Sequence, residues 1–90
     1  MQQKSENTII LARTIGNVLK ELRKSRGLSI NNFAHEFDLD VGNTSRIEKG
    51  SIEVKLVTLW RIAEALSMPL SELIGLVENK LDKNFRLYDI

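Results

Sequence analysis

The sequence predicts an all-α fold, a compact five-helix bundle, and three observations carry that reading. Apolar residues recur at three- and four-residue steps from Leu11 to Leu81, the stripe an amphipathic helix presents to a core. No segment ahead of the ambiguous tail at residues 85–88 alternates apolar and polar residues as a half-buried strand does. The stripes are parted by very short connections marked by Gly27, Asp38, Gly50 and Pro69, which suits helices packed against their neighbours.

Residues 1–8 read as a flexible N-terminal arm, because MQQKSEN is polar throughout. The first helix starts at Ile9 and carries Leu11, Ile15, Val18, Leu19 and Leu22 on one face. Arg26-Gly27 ends it, with the glycine in the left-handed cap position. Ser29 is an N-cap for a short second helix whose stripe is Phe33, Ala34 and Phe37. Asp40 caps a third helix that stops at Gly50. Gly42, Asn43, Thr44 and Ser45 make it a weak helix by propensity. The fourth, over residues 55–66, has a broad face of Leu56, Leu59, Trp60, Ile62, Ala63 and Leu66, with Trp60 expected in the core. Ser67-Met68-Pro69 breaks the chain, and proline suits the first turn of a fifth helix bearing Leu70, Leu73, Ile74, Val77 and Leu81.

Composition narrows the functional classes. With 42% hydrophobic and 28% charged residues, the chain has enough apolar surface to fold and is not of the disordered type. Ninety residues make one domain. The absence of cysteine excludes a disulfide framework, a thiol nucleophile and a zinc finger, and suits a cytoplasmic protein. The apolar run Ile9-Ile10-Leu11-Ala12 is far too short for a signal sequence or a membrane span. His35 stands alone without carboxylates or thiols at ligand spacing, which argues against a metal site. Asp38 and Asp40 have no nucleophile or glycine-rich loop beside them, which argues against an enzyme. No cofactor is expected. Net charge is only +1, yet Arg13, Lys20, Arg23, Lys24 and Arg26 cluster against the single acid Glu21. Such a run is either a solvated helix face or an electrostatic footprint for nucleic acid.

The second and third helices are separated by only Asp38-Leu39-Asp40, and a turn that short forces a steep crossing, the helix-turn-helix arrangement. Ala34 is small where the two must approach, and Leu39 and Ile47 can fill the crossing. The segments Gly27-Leu28-Ser29, Phe33-Ala34, Leu39, Ser45-Arg46-Ile47-Glu48-Lys49-Gly50 and Leu59-x-x-Ile62-Ala63-x-Ala65-Leu66 lie in order at one spacing. In this the chain resembles the lambda-repressor-like, Cro-type helix-turn-helix family, also called the xenobiotic-response-element family, from about Ile15 to Ile74. The resemblance implies a helix-turn-helix DNA-binding domain over residues 9–76 whose third helix enters the major groove.

Carried onto this sequence, the resemblance assigns base contacts to Val41, Gly42, Asn43 and Arg46. Asparagine pairs with adenine, arginine with guanine, valine with a thymine methyl, and glycine lets the backbone come close. It places phosphate contacts at Ser29, Asn31, Lys49, Ser51, Lys55 and Thr58. It also pairs Glu48 with Arg23 as a structural ion pair. Three positions depart from the family. Ile30 stands where a glutamine is usual, leaving Asn31 as the nearest polar group; Asp38 replaces the turn glycine; and Thr44 replaces an apolar residue.

Residues 77–90 form a C-terminal extension that reads as a dimerisation segment. Leu73, Val77, Leu81, Phe85 and Tyr88, continued by Leu87 and Ile90, make a longer apolar stripe than a four-helix core needs. The expected protein is a homodimeric, sequence-specific transcriptional regulator of the repressor type, binding double-stranded DNA at a palindromic operator in the cytoplasm. The alternative is an antitoxin or other interaction module that holds a toxin or other protein partner, with autoregulatory DNA binding.

Overall fold

Five helices occupy the computed structural model, which describes residues 5–88. They are α1 (Glu6–Ser25), α2 (Ile30–Glu36), α3 (Val41–Lys49), α4 (Leu56–Ala65) and α5 (Leu70–Lys80), and no strand occurs among the described residues. The first four residues of the expected arm and Ile90 lie outside the described residues. The fold is all-α, as the periodicity predicts.

Local chemistry fixes the helix ends. α1 begins at Glu6, earlier than the apolar stripe suggests, because Ser5 Oγ accepts the Thr8 amide at 3.1 Å and satisfies a free first-turn donor. The expected arm over residues 1–8 is therefore helical from Glu6. Ser29 and Asp40 cap α2 and α3 in the same way, accepting the amides of Asn32 and Asn43 at 3.1 and 2.7 Å. Gly27 and Gly50 turn the chain out of α1 and α3 at φ of 71° and 72°, where a side chain is strained. Asp38 takes the same left-handed conformation in the α2–α3 turn, at φ 54°, as does Ser67 after α4, at φ 59°. Pro69 stands one residue outside α5, as its N-cap, and its carbonyl accepts the amides of Glu72 and Leu73.

α1 is the spine: α3 and α5 pack on it, α2 packs on α3, and α4 packs on α5. Phe33, Ile47, Ile62, Leu66 and Leu73 are sealed at the centre, joined by Val18, Leu19, Leu59, Ala63 and Val77. Burying side chains of this size contributes roughly 1.5–3 kcal/mol each.

Two expectations are corrected here. Leu73 and Val77, expected at a dimer interface, are 0% and 3% exposed and complete the chain's own core; Val77 lies inside α5, so the stripe continues inward past residue 76. Leu81 is half-buried against that core and Phe85 is half-buried, leaving only Tyr88 of the five fully open. Conversely, Trp60 and Leu56, expected in the core, are 53% and 61% exposed. Seven of the ten residues in α4 are apolar, more than one face of a helix can turn inward. Beyond α5 the tail is irregular and folds back over the start of α1, where Asn7 Nδ2 donates to the Arg86 carbonyl at 2.6 Å.

Candidate nucleic-acid interface

α3 has two unlike edges. Its inner edge is Thr44, Ile47 and Glu48, all buried. Thr44 fits an apolar position because its hydroxyl donates to the Asp40 carbonyl at 2.8 Å, leaving the methyl to pack. Its outer edge is Val41, Gly42 and Arg46, all exposed, with Asn43 half-buried beside them. A Cβ added to Gly42 would meet the Arg46 guanidinium at 3.4 Å, so that side chain lies along the start of the helix. The four residues assigned to base reading thus share one solvent-facing edge.

A buried ion pair holds the inner edge. Arg23 Nε and Nη2 donate to the two carboxylate oxygens of Glu48 at 2.8 and 2.9 Å, and the side chains are 8% and 6% exposed. Nη1 donates to the Leu28 carbonyl at 2.7 Å, so one guanidinium ties α1, the α1–α2 loop and α3 together. The Glu48 hydrogen bond, aided by its charge, holds the Arg23 pKa above its ordinary value against the opposing effect of burial. Glu48 is thus taken up by the pair and is not part of the exposed edge.

The cations of α1 do not form a single outward stripe. Arg23 is buried in the pair, and Arg26 donates to the Leu66 carbonyl at 2.5 Å, bracing the end of α4. Arg13, Lys20 and Lys24 remain exposed. Of the residues assigned to phosphates, Asn31, Lys49 and Lys55 are exposed and Thr58 is half-buried. Ser29 and Ser51 already have local work. Ser29 Oγ caps α2, and Ser51 Oγ donates to the Arg46 carbonyl at 3.1 Å, closing the end of α3. α4 differs from α2 and α3 in that its N-cap residue, Lys55, makes no side-chain cap, and Thr58 lies in its first turn. His35 is exposed on α2.

Sequence reasoning missed three features. Gly16 is buried against α3, and an isolated glycine within a helical stripe is itself a signal of close approach. The Arg26 brace to α4 has no local signature. The exposed group Leu56, Val57 and Trp60 was readable from the excess of apolar residues in α4.

Comparison with known proteins bears on the family and the fold. A helix-turn-helix family model, HTH_3, matches residues 19–73. The control protein C.MunI of a Mycoplasma species is 44% identical over 66 residues, covering 72% of this chain and 89% of that protein. The HTH-type transcriptional regulator SutR of Escherichia coli K12 is 34% identical over 65 residues, but the chain spans only 36% of its length. Among solved structures, an HTH_3 family transcriptional regulator from Vibrio cholerae superposes with a TM-score of 0.69 at 34% identity. That match covers 76% of this chain and 38% of that one. The clp gene regulator ClgR of C. glutamicum gives 0.72 over 82% of this chain and 96% of its own, at 20% identity, a likeness of fold alone.

Proposed function

Because the chain belongs to the HTH_3 helix-turn-helix family and is a DNA-binding transcriptional regulator, we propose that it reads a specific operator with the outer edge of α3. One observation carries the proposal. The inner edge of α3 is fixed by Ile47 and the Arg23–Glu48 pair, while Val41, Gly42 and Arg46 face solvent with Asn43 half-buried beside them. In the major groove, Asn43 pairs with adenine, Arg46 with guanine, Val41 packs on a thymine methyl, and Gly42 admits close backbone approach. Asn31, Lys49, Lys55 and Thr58 hold phosphates, aided by the positive end of the α4 dipole, with Ser29 and Ser51 contributing from their capping positions. The protein acts by binding, without chemistry or a cofactor, in the cytoplasm or on the nucleoid; among the described residues no helix is long and apolar enough to cross a membrane.

The same reading makes the protein a homodimer, and the exposed apolar group on α4 supports a different surface from the C-terminal stripe. Leu56, Val57 and Trp60 are 61%, 65% and 53% exposed, beside a cleft lined by Pro69, Leu70 and Ile74. An apolar patch of this kind on a small domain marks an interaction site. A twofold dimer through it binds a palindrome with half-sites about 34 Å apart, and acts as a repressor by occupying that site.

In vitro selection of DNA by the purified protein across a salt series tests the proposal. A palindromic consensus with a steep salt slope supports it. No enrichment at low salt overturns sequence-specific reading.

A further inference from the structure

The C-terminal half of α3 rests on α1 with backbone against backbone. A Cβ added to Gly16 would fall on the Glu48 carbonyl oxygen, 2.5 Å from that of Ile47 and 2.8 Å from the Glu48 carbonyl carbon. Gly50 makes a second contact of the same kind: its Cβ would lie 2.7 Å from Arg13 Cα and 3.0 Å from Arg13 N. Arg13, Gly16 and Arg23 are three and seven residues apart, so they share one face of α1. That face grips Gly50, the Ile47–Glu48 carbonyls and the Glu48 side chain in turn. All three grips fall on the second half of α3, behind the residues that face solvent.

From this we infer that Gly16 is a positioning residue for base reading. It sets how closely α3 seats on α1, and thereby where Val41, Asn43 and Arg46 stand relative to the phosphate-holding starts of α2 and α4. The inference rests on α3 being the recognition helix. A methyl at residue 16 cannot be accommodated by turning a side chain, because the three atoms nearest to it are all backbone. Ordinary contact needs the two helices to part by about 1 Å.

α3 is the element that moves. α1 is fastened to the α1–α2 loop through Leu28, to the end of α4 through Arg26, and to α5 by packing. α3, only nine residues long, packs on α1 and the short α2 and is joined to α4 by the loop of residues 50–55. Bidentate base contacts hold over a window of roughly 2.7–3.2 Å and are lost by such a shift. Contacts of lysine with phosphate are governed by longer-ranged charge and tolerate it.

The test compares full-length Gly16→Ala with Gly75→Ala. Gly75 is a glycine of α5 whose added Cβ meets nothing within 4 Å, so it controls for the change in helix propensity. Each protein is titrated by fluorescence anisotropy against the duplex selected by the unsubstituted protein and against a scrambled duplex. Gly16→Ala is expected to lower the ratio of selected to scrambled affinity by roughly tenfold or more, with scrambled binding and its salt slope within about twofold. Gly75→Ala leaves both affinities unchanged. Helix content and a cooperative thermal transition in circular dichroism report that the variant is folded. If Gly16→Ala unfolds, the same ratio is measured for Gly16→Ala/Gly75→Ala in trimethylamine N-oxide, which favours the compact state. A folded Gly16→Ala protein with an undiminished ratio overturns the inference while leaving α3 as the recognition helix. Failure of the unsubstituted protein to select any site overturns the recognition-helix reading itself, and this inference with it.

Discussion

Gly42→Ala separates what α3 does for the fold from what it does for DNA. Gly42 is the second residue of the helix, exposed, and its backbone is not left-handed, so alanine adopts it without strain. The added Cβ would sit 3.4 Å from Arg46 Nη1 and 3.4 Å from Asp40 Oδ1, ordinary contacts with side-chain ends. The free protein should therefore gain helix propensity, about 0.5–1 kcal/mol, in a position where nothing opposes it. For a domain of this size that is a rise in Tm of roughly 2–8 °C, measured by circular dichroism. Binding should move the other way. The methyl occupies the outer edge, where it holds the backbone off the bases, and the selected duplex should bind about 1–3 kcal/mol more weakly in anisotropy titrations. A more stable protein that binds its site less well is the signature. Wild-type affinity for the selected duplex would refute the placement of Gly42 against the bases, and a fall in Tm would refute the reading of local space.

Three further outcomes follow from the same geometry. Glu48→Ala strands the buried Arg23 guanidinium and should cost about 3–5 kcal/mol, a large part of the stability of a small domain, read from the urea midpoint. Arg46→Ala should relax preference at one base position and cost about 1–3 kcal/mol; uniform weakening across all sequences would make Arg46 a phosphate contact instead. Leu56→Glu should convert the proposed dimer to a monomer in analytical ultracentrifugation with helix content intact, because Leu56 is 61% exposed in the single chain. Persistence of the dimer would move the interface elsewhere, and Tyr88→Ala, at 78% exposure, is the comparison on the tail.

How far the sequence alone carries depends on the range of the interaction concerned. Helix ends were legible because capping is local: Ser29, Asp40, Gly27 and Gly50 each act within a few residues of themselves. Ser5 was overlooked because the apolar stripe starts later than the cap that opens the helix. The Arg23–Glu48 pair spans 25 residues and came from family resemblance, as periodicity could not have joined the two. Burial on α4 and α5 was misjudged in opposite directions for one reason. An apolar stripe says that a face wants cover, and it does not say whether the same chain supplies it. α5 finds Val18, Leu19 and Ile62 as core partners and buries Leu73 and Val77; α4 has more apolar residues than neighbours and leaves Trp60 outside. The polar, low-propensity stretch of α3 was readable as an exposed edge between buried anchors, and its proposed use in base reading came from family resemblance.

The seating of α3 on α1 also sets the smallest piece of this protein that can stand by itself. The segment shared with the family, residues 19–73, begins after Arg13, Gly16 and Val18 and stops short of Val77. A fragment cut to those limits keeps every residue assigned to bases and phosphates, yet it removes the backbone floor under α3 and opens the core at both ends. Such a fragment should behave as a loosened chain with an intact reading edge and nothing to hold it still. The autonomous unit is thus wider than the shared motif, and the flanks that look least characteristic of the family supply the floor on which α3 is seated.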